Sequence, residues 1–195
     1  MKNKLIVSVL LLATFSCDRV NRLTAEDYAW MPYGENQTLV FKSNFGEIDT
    51  IFLLKKDTIF GYPEAQKFNG IVTQHVVIYC RHTSPIKGGH RYLTGEFFSV
   101  FRNKQNKTSI DVQLRTKKAA FYGYRHELLI EDLLADGFIT LVTTQAEYED
   151  VLVFSSDPYF SNRERFISNL YWSKSKGLVR YEKTDGECWE LVEGD

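Results

Sequence analysis

From residue 38 onward the chain repeats one texture. Runs of β-branched and aromatic residues, five to eleven long, are cut by clusters of Gly, Pro, Asn and Asp. Such runs favour the pleated, half-buried surface of a sheet, and the breakers between them favour turns. The pattern predicts strands at 38–42, 49–55, 72–81, 92–102, 109–116, 139–144, 149–154, 167–172, 178–182 and 187–192. The cleanest is "SIDVQLR". Ile110, Val112 and Leu114 point one way; Ser109, Asp111, Gln113 and Arg115 point the other. Strict alternation means one dry face and one wet face. "VVIYC" and "FFSVF" are apolar on both faces, which predicts central or curved strands.

The breakers carry their own chemistry. "NFGE", "SPIKGGH", "NKQNK" and "KTDGE" place Gly, Pro, Asn or Asp where φ must be positive or fixed. Asp185-Gly186 is the sharpest turn, joining "LVRYE" to "ECWELV". Upstream, Thr24 with Asp27 three residues on forms a weak capping box. It predicts one or two helical turns over 25–30, stopped by Pro32. "RHELLIEDLLADG" stays ambiguous between helix and strand over 125–136. Leu129/Leu133 and Ile130/Leu134 have helical spacing, yet the segment is also apolar enough for a strand. No repeat or long linker divides the chain. The expectation is a mainly β protein with a single antiparallel β domain over 24–195 and a short N-terminal helix. Exposed strand edges are a liability, so the sheet should curl into a barrel-like form or a strongly twisted meander.

Charge excludes one class of partner. The net charge is −1, and removing residues 1–16 leaves 22 basic against 25 acidic residues. Binding nucleic acid requires a clustered basic surplus. The short basic groups (Lys55-Lys56, Lys117-Lys118, Arg163 and Arg165) sit among turn and acidic residues and read as solvated surface.

The first 17 residues set the address. Lys2 and Lys4 precede an eleven-residue run from Leu5 to Phe15, broken only by Ser8 and Thr14. A membrane-spanning helix needs about 20 apolar residues, so this run is too short, and Asp18 and Arg19 follow at once. A charged start, a short apolar middle and a small-residue end make a secretory signal. Ending at Cys17, the stretch resembles the signal of bacterial lipoproteins, in which cleavage precedes a lipid-modified cysteine. Thr14 stands where leucine is commonest in that motif. The resemblance implies a signal over 1–16, a lipid on Cys17, a tether over 18–23 and an exported protein anchored in the cell envelope. The outer membrane or the periplasmic face is favoured. An ordinary cleaved signal with an incidental cysteine is the alternative. A six-residue tether reaches roughly 20 Å, and Arg19 and Arg22 in it are suited to anionic headgroups.

A second resemblance lies in the last 50 residues or so. "YEDVLVF" and "NLYWSKSKGLVRYEKTDGECWEL" are similar to the C-terminal half of small uncharacterised bacterial lipoproteins. The shared elements are Tyr148, Val151, Tyr171, Lys174, Lys176, Gly177, Leu178, Val179, Gly186, Trp189 and Leu191. The resemblance implies β topology and an envelope address, with no known activity. Gly177, Gly186 and Trp189 read as structural, Val179 and Tyr181 as sharing a face, and Trp189 and Leu191 as core.

Chemistry-bearing patterns are weak. With Cys17 acylated, Cys80 and Cys188 remain, either as a disulfide or as free thiols. Trp189 facing the core turns Cys188 outward, against a bridge. His75, Cys80, His82 and His90 are suitable ligand types for a metal, but lack CxxC or HExxH spacing. No nucleophile elbow, phosphate loop or dinucleotide fingerprint is present, and no cofactor is implied. Glu131-Asp132 and Glu149-Asp150 would point to opposite faces on strands. Aromatics make up 14% of the chain. Tyr28, Trp30, Tyr33, Tyr159 and Phe160 fit either a β core or a stacking surface for a ligand. The leading expectation is a non-enzymatic, membrane-anchored binding or accessory module. An envelope glycan hydrolase with carboxylates assembled across strands, and a subunit of an envelope protein complex, are the rivals.

Overall fold

The computed structural model describes residues 19–61, 71–82, 94–114, 116, 120–121, 128–156 and 166–194. Twelve strands form one sheet: β1 (Arg19–Asn21), β2 (Thr38–Ser43), β3 (Ile48–Gly61), β4 (Ile71–His82), β5 (Thr94–Arg102), β6 (Thr108–Val112), β7 (Leu128–Leu129), β8 (Ile139–Val142), β9 (Glu147–Ser155), β10 (Ile167–Ser173), β11 (Gly177–Lys183) and β12 (Cys188–Gly194). Among the described residues two short helices accompany it, α1 (Ala25–Tyr28) and α2 (Ile130–Ala135). The order across the sheet is β7-β6-β5-β4-β3-β2-β12-β11-β10-β9-β8, with β1 off this path. Every pairing along the path is antiparallel; β1 pairs β4 in parallel. The sheet curls into a half-barrel.

Closure stops short of a full barrel. Among the described residues, β7 and β8 at the two ends do not pair with each other. A parallel bridge between Ala120 and Phe166 links the chain beyond β6 to the start of β10. There Phe121 N donates to Leu114 O at 2.8 Å and Ile167 N donates to Ala120 O at 3.0 Å.

All ten expected strands have counterparts among the described residues, with ends displaced by up to six residues; residues 92, 93 and 115 of the expected ranges lie outside the described residues. The segment left ambiguous over 125–136 does both: Leu128–Leu129 is a strand and Ile130–Ala135 a helix. Glu131 and Asp132 are therefore neighbours in a first helical turn, both exposed, and not on the two faces of a strand.

Bulges explain the runs that alternation could not. Along β4, Ile78 pairs with Phe98 but Tyr79 pairs with Glu96, so Phe97 is an extra residue in β5. A bulge turns two successive side chains to one side, and Phe97 and Phe98 both enter the core. A second bulge lies in β11. Tyr171 pairs with Arg180 and Trp172 with Leu178, which leaves Val179 extra. The expectation that Val179 and Tyr181 share a face is overturned here. Tyr181 belongs to the main core, whereas Val179 packs in a separate cluster with Leu141 and Val151.

The concave side is filled by aromatic packing. Trp172, fully buried, stacks on Phe98 with ring centres 3.9 Å apart and on Phe154 at 6.2 Å. Tyr33 meets it edge-on at 5.5 Å. The segment between α1 and β2 supplies part of this filling: Trp30, Met31 and Tyr33 are all buried. Tyr181 stacks on Trp189 at 5.7 Å and leans on Phe41 at 5.4 Å. Trp189 is core, as expected; Leu191 is partly buried against it.

Candidate functional site

The N-terminal end of the domain is tied down at once. Residues 19–21, expected as tether, form β1 beside β4, with Arg19 opposite Ile71 and Asn21 opposite Thr73. Asn21 Nδ2 donates to Asn103 O at 3.1 Å, and Leu23 N donates to the Gln74 side chain at 3.0 Å. Gln74 in turn donates to the Tyr28 hydroxyl at 2.6 Å. Thr24 and Asp27 complete the capping box of α1. Asp27 also accepts from the Arg102 guanidinium at 2.9 and 2.6 Å and from the Thr108 hydroxyl. Burial raises the Asp27 pKa. Hydrogen bonds from Thr108, the Thr24 backbone and Arg102 outweigh that and hold the carboxyl below its ordinary 3.8. One buried ion pair thus locks the first helix to the β5–β6 hairpin.

Around this lock lie exposed apolar groups. Val20, Ile59 and Phe60 are solvent-exposed, and the Arg22 guanidinium lies over the Phe60 ring at 5.5 Å. A cation over an aromatic face is an attractive pair. This cluster joins residues 38 positions apart, which strand patterns alone could not bring together.

The histidine–cysteine group separates. In β4, Val76, Ile78 and Cys80 face the core, which puts His75 on the other side. His75 is 3.0 Å from the Thr73 hydroxyl and stacks on Phe101 at 4.7 Å. The His82 side chain and His90 lie outside the described residues; among the described residues no group of three metal-ligating side chains occurs. No disulfide joins Cys80 and Cys188. The reason is facial: Cys80 is core, and Cys188 is half-buried on the side shared with Arg180, Glu182 and Glu190. Burial pushes the Cys80 thiol up to about 12 and the Cys188 thiol up to about 11.

The carboxylates are engaged within the fold. Asp49, buried, accepts from the Tyr181 hydroxyl at 3.2 Å. Glu187, buried, accepts from Lys183 at 2.6 Å, and Asp185 accepts from the same amine at 2.7 Å. On the convex face Arg180 pairs with Glu182 and, at 3.5 Å, with Glu190. Asp150 accepts from Ser173 Oγ at 2.7 Å and Ser175 N at 2.8 Å, which orders the β10–β11 turn. Asp27, Asp150 and Asp185 all have pKa values displaced downward. A glycosidase's general acid needs the opposite displacement.

The elements of the C-terminal resemblance have structural partners. Lys174 Nζ lies over the Trp30 ring at 4.9 Å. Gly177 adopts φ +81°, and a Cβ there would lie only 2.3 Å from Cζ and the hydroxyl oxygen of Tyr33. Gly186 adopts φ +86° with open space around it. Of the aromatics considered for ligand stacking, Trp30 and Tyr33 are core, Tyr28 is partly exposed and hydrogen-bonded, and Tyr159 and Phe160 lie outside the described residues.

A second surface was not anticipated. At the end of the sheet, β8 pairs, among the described residues, on one side only, with β9. Leu134, Phe138, Ile139 and Val142 are exposed on and beside it, Val142 to 68%. The short run "ITLV" carries no charge to block a partner strand.

No helix among the described residues is long and apolar enough to cross a membrane. No protein family, curated protein or solved structure matches this chain.

Proposed function

We propose that this chain is a lipid-anchored β domain of the cell envelope, acting as a non-enzymatic binding or accessory module held against a membrane. The observation that carries the reading is the N-terminal stretch itself: two lysines, the eleven largely apolar residues Leu5–Phe15, then Ser16 and Cys17. The placement of β1 supports it, since a folded domain begins two residues after the cysteine. Two or more acyl chains make such an anchor durable, where a single chain would bind marginally. The buried carboxylates Asp27, Asp49 and Glu187 each serve an internal donor, which favours scaffold roles over hydrolysis.

The test is the mature N-terminus. Mass spectrometry should find it at Cys17 carrying fatty acyl groups, and Cys17→Ala should abolish labelling by a fatty-acid probe and release the protein from membranes. A mature chain that retains Met1, or one with an unmodified thiol at 17, overturns the reading.

Within the binding class, the β8 edge favours a protein partner. An apolar, uncharged edge strand is a template for strand addition.

A further inference from the structure

β1 begins at the same end of the sheet where β3 finishes and β4 starts. Val20 lies opposite Val72, Phe60 opposite Gln74 and Gly61 opposite Thr73. The β5–β6 hairpin reaches this end too, through Asn21 to Asn103 and Asp27 to Arg102. Exposed here on the face shared by Val72 and Gln74 are two apolar side chains, Val20 and Phe60, with Arg22 stacked over Phe60; Ile59, opposite His75, lies on the other face.

We propose that this end of the half-barrel is the membrane-facing surface. Val20 and Phe60 enter the boundary between headgroups and acyl chains, and Arg22 meets headgroup phosphates. The inference rests on the acylation of Cys17 and adds to it which face of the domain the bilayer covers.

Chain length makes the argument. A six-residue tether would reach roughly 20 Å and leave the domain free to turn any face to the lipid. With Arg19 hydrogen-bonded into the sheet, Asp18 alone separates it from Cys17. Two Cα steps span at most about 7 Å. The headgroup layer of each leaflet is itself roughly 5–8 Å thick. Acyl chains seated in the hydrocarbon therefore draw β1 and its neighbours down to the boundary.

The chemistry of the surface fits that position. Aromatic rings and guanidinium groups suit the interfacial zone, where an apolar body and a polar tip are both satisfied. Charge does not oppose it. Asp27 is neutralised by Arg102 and Glu131 pairs with Lys107, while Glu26 stays exposed on α1. The molecule also supplies its own control. Phe45 and Ile48, 74% and 59% exposed, are more accessible than Phe60, yet sit at the opposite end of β3. Fourteen strand residues put them on the order of 40 Å away along the strand.

The experiment uses the full chain, processed and acylated in cells, then reconstituted into phosphatidylethanolamine–phosphatidylglycerol vesicles. In a Cys188→Ser background, Phe60→Cys, Val20→Cys and Phe45→Cys each carry one nitroxide. Immersion depth is read from collisions with oxygen and with a water-soluble nickel chelate. Labels at 60 and 20 should lie within about 5–10 Å of the headgroup–acyl boundary, and the label at 45 should behave as fully aqueous. Two labelled positions guard against one variant failing to fold. Acylated protein with labels at 60 and 20 as aqueous as the label at 45 overturns the face assignment alone. Protein whose N-terminal peptide carries no acyl group overturns the anchor reading, and this inference with it.

Discussion

The Tyr33 hydroxyl accepts a hydrogen bond from the backbone N–H of Leu178 at 2.6 Å, across 145 residues of sequence. The Tyr33 ring lies where a side chain at 177 would begin. The N-terminal segment and the β10–β11 hairpin are thus fitted to each other at a point that only glycine allows. Two penalties add in Gly177→Ala: a left-handed backbone, about 1–2 kcal/mol, and overpacking against a buried ring, about 1–3 kcal/mol. Gly186→Ala meets the first penalty alone, because its surroundings are open. Chemical denaturation should rank Gly177→Ala well below Gly186→Ala in stability; equal losses would mean the ring contact contributes nothing.

Tyr33→Phe isolates the hydrogen bond. The ring and its contacts with Phe97 and Trp172 remain, but the buried Leu178 N–H loses its acceptor. Leaving such a donor unsatisfied costs about 1–3 kcal/mol. The variant should fold, with a lower denaturation midpoint and an unchanged denaturant slope.

Asp27 ties stability to pH. Its pKa is lower in the folded chain than in the unfolded chain, so the folded state binds fewer protons. The stabilisation is fully present above the unfolded value of 3.8 and disappears as pH falls through the lower folded value. Asp27→Asn should remove that acid-sensitive component and, by leaving Arg102 without its partner, cost about 3–5 kcal/mol at neutral pH. Stability curves between pH 2 and 7 check both statements. A wild-type acid limb unchanged in the variant would place the dependence elsewhere.

The thiols give a chemical check on facing. With a pKa raised from 9.0 to about 11, Cys188 holds about a hundredfold less thiolate at pH 8 than an ordinary cysteine. Its reaction with a disulfide reagent should be correspondingly slow and should accelerate up to pH 11. Cys80 should react only on unfolding, and oxidation of the native protein should not join the two. A native intramolecular disulfide would contradict the opposite facing of the two residues.

Much of the sheet was readable because its strands are long enough to show a pattern. The strand "SIDVQLR" alternates over seven residues, and Ile110, Val112 and Leu114 are all core. What escaped has specific causes. β1 is three residues, Arg-Val-Asn, too short and polar to carry periodicity, and it is held by a parallel pairing 52 residues away. Val179 does not share the face of Tyr181 because a bulge, invisible in sequence, breaks the two-residue period. Gly177 reads as structural from the sequence alone. That holds, but its missing side chain also makes room for Tyr33, a long-range fact that local spacing does not carry. The Arg22–Phe60 pair depends in the same way on β1 joining β4.

The β8 edge bears on the partner. Its outer N–H and C=O groups face no strand among the described residues, and Ile139 and Val142 offer apolar side chains beside them. Lysine on an edge strand blocks pairing by forcing a desolvated charge into any added strand. Val142 is 68% exposed, so Val142→Lys should change folding stability by no more than about 0.5 kcal/mol. Photo-crosslinking from position 139 in living cells should trap a specific envelope protein or a second copy of this chain, and Val142→Lys should abolish that adduct while leaving membrane fractionation intact. An adduct that persists unchanged in Val142→Lys would mean the partner docks without using the strand edge, and loss of membrane association in the same variant would mean the edge serves anchoring instead.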